Sequence, residues 1–396
     1  MDKGIHVLGV GNLGKYVAFA LRQQQHYLQK QFGAGFYRPS EQPPPTLILH
    51  REDLVSSWYK ADHRISRITT TDAGDEEIHT AYGFRAELLQ LLLTGSLENR
   101  EAYRNVMVNS RVPISHLIVA TKAHVTVAAL AEVRVRLGPH SHILFLQNGM
   151  GVMEEVSQRL FPSPTHRPTY WAGICSAGIH SDPRSPFSFV HAGHGPLTIG
   201  RVGPSPPSEP LDVNPMVAQL MDAKLLNTEV LQPADIRQAR LKKLVINAVI
   251  NPMTALFECK NGDVFINPDR RFLRDELLKE AGPIVRALDA AGAKDDGSPA
   301  STEITDQDLL DAVTKVAYNT ADNVSSMRQD VLAKRRTEID YINGYLVTAA
   351  QRMGLPAKQL ANAWDKVKRL EQKYEPKTPI PSALQKATRW GRKVWS

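Results

Sequence analysis

The sequence predicts an α/β domain with a mostly parallel sheet, followed by an all-α domain. In the first part, short β-rich runs alternate with helical stretches, which is the pattern of a parallel sheet flanked by helices. Beyond Pro233 the apolar residues recur with helical periodicity. We therefore assign residues 1–232 to the α/β domain with insertions, 233–373 to the helical domain and 374–396 to a peripheral tail.

Composition indicates an ordinary soluble protein, since 42% of the 396 residues are apolar and 22% are charged. The longest apolar runs are too short for a membrane span, and the N-terminus enters a strand within four residues, so we expect a cytoplasmic protein without a membrane partner. The net charge of +7 could suggest nucleic acid, but the basic residues are dispersed and an attraction for anionic small molecules explains the charge equally well, so no nucleic-acid partner is expected. Cys175 and Cys259 have neither zinc-site nor disulfide spacing.

Four runs are the best strand candidates: "IHVLGV" (5–10), "TLILH" (46–50), "HLIVAT" (116–121) and "HILFLQ" (142–147).

Two segments are longer than a minimal βαβ unit requires, and a third has a different pattern. Residues 22–45 contain "PPP", which predicts a surface excursion, and residues 52–112 are expected to decorate the domain edge. Residues 171–200 mix short β-like runs with Gly and Pro, so we expect antiparallel strands added to the edge of the sheet.

A glycine motif follows the first predicted strand. In "VLGVGNLGKYVAFAL", Gly9, Gly11 and Gly14 have the GxGxxG spacing, with Asn12 and Leu13 inside the turn. This pattern between a strand and a helix lets a pyrophosphate approach the backbone at the helix N-terminus. The motif predicts a Rossmann-type dinucleotide site, and a merely structural glycine turn is the weaker alternative.

The end of the second strand bears on the choice of cofactor. An acid at this position holds the ribose diol of NAD, whereas an arginine pairs with the 2′-phosphate of NADP. Arg51 comes first in "TLILHRED" and is followed by Glu52 and Asp53, so the motif alone leaves both cofactors open.

One helical run carries a polar stripe. Lys243, Asn247 and Asn251 are spaced by four residues and share one face, while Lys242 falls on another row. Pro252 predicts a kink. An alternative is that Lys243 is exposed, the asparagines cap the helix or face water, and the helix ends near Pro252. In combination with a hydride donor, however, one ammonium and several amides suit the reduction of an anionic ketone.

The motifs resemble those of the ketopantoate reductase family, whose members are 2-dehydropantoate 2-reductases. The resemblance rests on "GVGNLG", "ATKAH" (120–124), "LQNGMGVMEEV" (146–156), "KLVINAVINPMTALFECKNGDV" (243–264) and "VSSMRQDVLAKRRTEIDYINGYL" (324–346), in that order along the chain. It implies NADPH-dependent reduction of 2-dehydropantoate to pantoate, a step of pantothenate and coenzyme A biosynthesis. It leaves open another branched 2-oxo acid as substrate, and a homodimer as the assembly.

The resemblance also implies a role for individual residues. Lys243 resembles the general acid, and Glu338 resembles the acid that anchors the substrate hydroxyl and holds the lysine. Substrate contacts are implied for Ser326 at the carboxylate and for Asn247, Asn251 and, more weakly, Asn323. Cofactor contacts are implied for Arg51, Lys122 and Asn148, in addition to the glycine turn.

Other interpretations of these residues remain open at this stage. Ser326 with Gln329, and Thr337 with Asp340, each fit a capping box at a helix start. The whole chain is alternatively a non-catalytic binding or regulatory protein with the same fold, although it retains every motif residue. The histidines show no metal-ligand spacing, so no metal is expected.

Overall fold

A computed structural model describes residues 2–32, 42–50, 52–71, 73–89, 106–108, 110–203, 214–297 and 303–374. Arg51 and the tail beyond Tyr374 lie outside these residues. The chain forms two compact units. The first unit comprises Met1–Leu241 with Asp289–Thr302, and the second comprises Lys242–Leu288 with Glu303–Ser396.

The strands of the described residues all belong to the first unit and form two sheets. They are β1 (Asp2–Leu8), β2 (Thr46–Leu49), β3 (Arg64–Thr70), β4 (Glu76–Tyr82), β5 (Arg85–Leu88), β6 (Val106–Val108), β7 (Ile114–Val119), β8 (His142–Phe145), β9 (Thr169–Cys175), β10 (Gly178–Ser181), β11 (Ser188–Gly193), β12 (Leu197–Val202) and β13 (Glu229–Leu231).

The larger sheet has nine strands in the order β13-β12-β9-β8-β7-β1-β2-β5-β6. The six strands from β9 to β5 are parallel, and numbered among themselves they follow the 3-2-1-4-5-6 order of a dinucleotide-binding sheet. The four predicted strands are β1, β2, β7 and β8, so their prediction is confirmed. Their near-continuous apolar runs are explained by burial on both faces.

The smaller sheet has four strands in the order β10-β11-β3-β4. The prediction for residues 171–200 is correct for β12, which pairs antiparallel with β9. It is wrong for β10 and β11, because β11 pairs with β3 in the smaller sheet. Residues 52–112 are likewise more than an edge decoration, since they supply β3 and β4 to this sheet and β5 and β6 to the larger one.

The helices of the described residues are shared between the two units, and the division falls within α6 after Leu241 and within α7 after Leu288. They are α1 (Asn12–Phe32), α2 (Glu52–Lys60), α3 (Ala123–Val133), α4 (Val152–Arg159), α5 (Pro215–Asp222), α6 (Pro233–Leu256), α7 (Pro268–Asp296), α8 (Asp306–Asn319), α9 (Ser326–Leu332), α10 (Asn343–Met353) and α11 (Lys358–Gln372). None of these helices is long and apolar enough to cross a bilayer.

Helix α1 is buried over its first three turns because it contacts strands of both sheets. Tyr16 and Phe19 each meet Phe189 of β11 edge-on, with ring centroids 6.0 and 5.8 Å apart. The polar atoms that this burial removes from water have partners. The Tyr16 hydroxyl donates to the Leu225 carbonyl at 2.8 Å, and Arg22 Nε donates to the Tyr82 carbonyl at 2.7 Å.

Helix α6 continues through Pro252 to Leu256, so the alternative that the helix ends near Pro252 is wrong. Its side chains at Leu244, Val245, Ala248 and Val249 are buried, as the apolar periodicity predicts. The described residues of the second unit form helices and connecting turns without a strand, and this confirms the predicted all-α C-terminal part.

A buried ion pair joins β5 to the chain after α3. Arg136 donates to both carboxylate oxygens of Glu87, at 2.7 and 3.2 Å, and His6 Nε2 lies 3.6 Å from the same group. Burial alone would raise the pKa of Glu87, but the hydrogen bonds from His6 and Arg136 outweigh it and lower the pKa from 4.5 to about 2.

Replacing Glu87 with Gln leaves Arg136 buried without its counter-ion. We expect the free energy of unfolding at pH 7 to fall by about 3 kcal/mol. Because the folded-state pKa is the lower one, the carboxylate stabilises the fold above pH 4.5, and this contribution disappears as the pH falls towards 2. The measurement is urea unfolding followed by tryptophan fluorescence. The exposed Glu154→Gln variant is the control, and equal stability of the two variants would contradict the expectation.

Candidate active site

Three of the expected cofactor segments lie at the carboxyl ends of strands in the larger sheet. The glycine turn follows β1, Lys122 follows β7, and Asn148 follows β8. These three strands are neighbours and parallel, so their carboxyl ends lie side by side. In open α/β sheets this edge, where the strand order reverses, is the usual place of ligand binding.

The glycine turn leaves no room for side chains at two positions. Gly9 has a φ of +99°, and a Cβ there would lie 2.6 Å from the Thr121 nitrogen. A Cβ on Gly14 would lie 1.9 Å from the Gly9 carbonyl oxygen and 3.4 Å from the Ala120 Cβ. The first helical turn of α1 therefore packs directly on the exits of β1 and β7.

Gly11 is different, because a Cβ there would meet no atom within 4 Å. It is exposed at the start of α1, beside the half-buried Asn12 and Leu13. A tight turn, an open glycine and a helix N-terminus together fit the pyrophosphate of a dinucleotide.

Sequence reasoning missed how the smaller sheet supports this turn. Asn12 Nδ2 donates to Ser181 Oγ at 2.9 Å, and Lys15 Nζ donates to the Ser188 carbonyl at 2.6 Å. Burial lowers the pKa of Lys15 to about 8, and the Asp182 carboxylate partly offsets that effect. The available signal was a lysine directly after the glycine motif and directly before the apolar run "YVAFAL" (16–21).

The polar stripe lies in the second unit, on the part of α6 after Leu241. Lys243 and Asn247 are half-buried, whereas Asn251 is 5% exposed. Burial of Asn251 argues against the alternative that both asparagines face water, because a buried amide needs hydrogen-bond partners.

The two family motifs of the helical unit, residues 243–264 and 324–346, are in direct contact at Asn343. No role was assigned to this residue from the sequence. Its side chain is fully buried, and its Nδ2 donates to the Ala248 carbonyl at 3.1 Å. Ala248 follows Asn247 on α6, and Asn343 begins α10. The sequence signal for this contact was an asparagine inside the largely apolar and aromatic run "YINGYLV" (341–347).

Ser326 is exposed at the first position of α9, and the alternative interpretation as a capping box with Gln329 is wrong. The N-cap is Ser325, whose Oγ accepts from the Arg328 nitrogen at 3.1 Å. Ser325 Oγ also lies 2.7 Å from Thr254 Oγ1, which donates to the Asn251 carbonyl. The neighbour of Ser326 is thus bound to the stripe helix, and the Ser326 hydroxyl is not needed as a cap.

Glu338 is 6% exposed and immediately precedes a short 3-10 turn, Ile339–Tyr341. The alternative interpretation of Thr337 and Asp340 as a capping box is wrong. Thr337 donates through both its nitrogen and its Oγ1 to Glu371 Oε1, at 2.7 and 2.6 Å, while Asp340 accepts from Trp364 Nε1 at 2.8 Å. Both residues therefore fix this turn against α11.

Asn323 lies in the segment between α8 and α9. Its carbonyl accepts from the Asn261 nitrogen at 3.1 Å, and its own nitrogen donates to the Thr320 carbonyl at 2.9 Å. These two bonds fix the backbone at Asn323, and its side chain is half-buried. Within the described ranges, no group of three or more His, Cys, Asp or Glu side chains is arranged to hold a metal ion.

The sheet order, the glycine turn and the all-helical second unit define a Rossmann-type α/β protein with a helical C-terminal domain. Two family models match the chain. "Ketopantoate reductase PanE/ApbA" matches residues 5–204, and "Ketopantoate reductase PanE/ApbA C terminal" matches residues 235–371. The chain belongs to the ketopantoate reductase family.

Similar proteins support this assignment over much of the chain. It is 33% identical over 259 residues to a "2-dehydropantoate 2-reductase" of Yersinia pestis, covering 65% of this chain and 75% of that protein. It is 29% identical over 373 residues to the Saccharomyces cerevisiae protein of the same name, covering 89% of each. In fold it resembles a ternary structure of D-mandelate dehydrogenase with NADH and anilino(oxo)acetate, with a TM-score of 0.68 and 16% identity, covering 94% of this chain and 99% of that chain.

Two glycine variants separate packing from cofactor binding. Gly11→Ala places a methyl group in open space, so we expect an unchanged melting temperature and at least ~10-fold weaker binding of a nicotinamide dinucleotide. Gly14→Ala forces the methyl group against the Gly9 carbonyl, so we expect a lower melting temperature without any ligand. Thermal unfolding and calorimetric titration measure the two effects. Unimpaired dinucleotide binding by Gly11→Ala would contradict the assignment of this turn.

Proposed function

We propose that the protein reduces 2-dehydropantoate to pantoate with NADPH, using Lys243 as general acid. The observation that carries the proposal is the joining of the two helical motifs, in a chain of this family, by the contacts of Asn343 with Ala248 and of Ser325 with Thr254. The amine, amides, hydroxyl and carboxylate implied by the resemblance are thus carried by segments that pack on one helix or adjoin it.

The proposed chemistry follows from these functional groups. The bound nicotinamide supplies the hydride to the keto carbon. As negative charge develops on the keto oxygen, the Lys243 ammonium stabilises it and donates the proton that completes the new hydroxyl group. Lysine is suited to this task because its charge is compact and its side chain is long enough to follow the oxygen.

The remaining residues are proposed to orient the substrate. Asn247 and Asn251 offer amide donors and acceptors that do not compete for the transferred proton. Ser326, exposed at the start of α9, offers a hydroxyl to the substrate carboxylate. Glu338 anchors the substrate hydroxyl and holds the Lys243 ammonium, and we include Asn323 as a further amide of the pocket.

NADPH is proposed as the cofactor on the basis of Arg51, which follows the second strand in sequence. Lys122 and Asn148, at the ends of neighbouring strands, are proposed to contact it together with the glycine turn. Their placement at the edge where the strand order reverses supports this proposal.

Lys243→Ala tests the mechanism. Loss of the proton donor and of its charge should lower kcat by at least ~100-fold in an assay of NADPH oxidation with 2-dehydropantoate. Lys242→Ala is the matched control, because it removes the same charge from the adjacent position of the helix but from a different face. A Lys243→Ala variant as active as the control would remove Lys243 from the mechanism.

The choice of cofactor is tested at Arg51. We expect kcat/KM to be higher with NADPH than with NADH, and Arg51→Ala to reduce that ratio by roughly 10-fold by weakening contact with the 2′-phosphate. Steady-state rates with both cofactors measure the ratio, and Lys60→Ala, which removes an exposed cation at the end of α2, is the control. A wild-type preference for NADH would refute the proposed cofactor.

A second candidate substrate is another branched 2-oxo acid. The likeness in fold to a D-mandelate dehydrogenase bound to anilino(oxo)acetate favours keeping this alternative, because that ligand is a bulkier 2-oxo acid derivative. A panel of 2-oxo acids compared by kcat/KM distinguishes the two, and a higher value for any acid other than 2-dehydropantoate would select the alternative.

A further inference from the structure

Pro252 removes one backbone hydrogen bond from α6. In an α-helix the nitrogen of residue 252 would donate to the carbonyl of Ala248, but proline has no N–H. The Ala248 carbonyl is buried together with its residue, so it needs a donor from elsewhere.

Asn343 supplies that donor. Its Nδ2 lies 3.1 Å from the Ala248 oxygen, and its side chain is fully buried. A carbonyl oxygen can only accept, so the amide must turn its NH2 group towards α6. The bond crosses 95 residues of sequence and joins the stripe helix to the start of α10.

The same bond fixes the position of Glu338 relative to the stripe. The chain from Glu338 to Asn343 has little freedom, because the Tyr341 nitrogen donates to the Glu338 carbonyl at 3.0 Å and the Ile342 nitrogen donates to the Ile339 carbonyl at 3.2 Å. On the other side of Glu338, Thr337 is bound twice to the buried Glu371. Glu338 is therefore held between an anchor on α11 and an anchor on α6.

We propose that Asn343 is a positioning residue, which uses the carbonyl left without a donor by Pro252 to hold the Glu338 turn in register with Lys243, Asn247 and Asn251. The two residues act together, because Pro252 leaves the Ala248 carbonyl without its helical donor and Asn343 supplies the replacement. Without the proline, the helix would satisfy Ala248 itself, and a cross-connection at this carbonyl would add little stability. This inference rests on the proposed function, because it assigns Glu338 and the stripe to one reaction.

Two substitutions exchange the donor to the Ala248 carbonyl, from the Asn343 side chain to a backbone N–H of α6. Their combination distinguishes a positioning role of Asn343 from simple stabilisation of the fold. Asn343→Leu keeps a similar volume but removes the donor, so we expect a melting temperature lower by roughly 3–6 °C. Pro252→Ala gives α6 its own N–H donor for Ala248. In the double variant Pro252→Ala/Asn343→Leu the carbonyl is again satisfied, so its melting temperature should return to within about 3 °C of that of Pro252→Ala.

Activity should not return with stability. We expect kcat of the double variant to stay roughly 10- to 100-fold below that of Pro252→Ala, because the Glu338 turn is no longer tied to the stripe. Thr348→Val is the control, since it removes a bond from Thr348 Oγ1 to the Gly344 carbonyl that lies wholly within α10, and its kcat should match that of the wild type.

Each outcome decides a different point. A double variant with the kcat of Pro252→Ala would show that Asn343 only donates a hydrogen bond to the Ala248 carbonyl, and would overturn the positioning role. A double variant as unstable as Asn343→Leu would overturn the exchange of donors at Ala248. If the wild type itself fails to reduce 2-dehydropantoate, the proposed function fails, while the melting temperatures still test the exchange.

Discussion

The enclosure of α1 between two sheets is the constraint on which the first unit depends. The start of this helix must approach the exits of β1 and β7 so closely that Gly14 has no room for a Cβ. On its other side the helix meets β11 through Tyr16 and Phe19. Because both faces are covered, the polar groups of Lys15, Tyr16 and Arg22 are turned to backbone carbonyls rather than to water.

The segments inserted into the dinucleotide-binding fold form the smaller sheet that covers α1. Two segments far apart in the chain, β3 with β4 and β10 with β11, combine into the smaller sheet through the parallel pairing of β3 and β11. That sheet contacts α1 and reaches the glycine turn through the pairs Asn12–Ser181 and Lys15–Ser188. Support of the candidate cofactor turn therefore comes from chain segments that a minimal dinucleotide-binding domain does not contain.

The second unit is organised by the polar face of α6. A helix that buries an asparagine and contains a proline must find hydrogen-bond donors and acceptors outside itself. It finds them in Asn343 for the Ala248 carbonyl and in the pairing of Thr254 with Ser325. These two contacts attach the segments with Glu338 and Ser326 to α6, so the demand for buried hydrogen bonds also assembles the candidate site.

The sequence by itself determined the local features: four central strands, the glycine turn, the helical second part and the polar stripe. These follow from periodicity and from backbone rules that act within a few residues. The alternative of capping boxes at Ser326 and Thr337 is wrong, because Ser325 caps α9 and Thr337 donates to the distant Glu371. Tertiary structure alone decided the smaller sheet, the buried Lys15 and the bond from Asn343 to Ala248. Each joins residues far apart in the chain, and local sequence does not specify which distant group will satisfy a buried donor or acceptor.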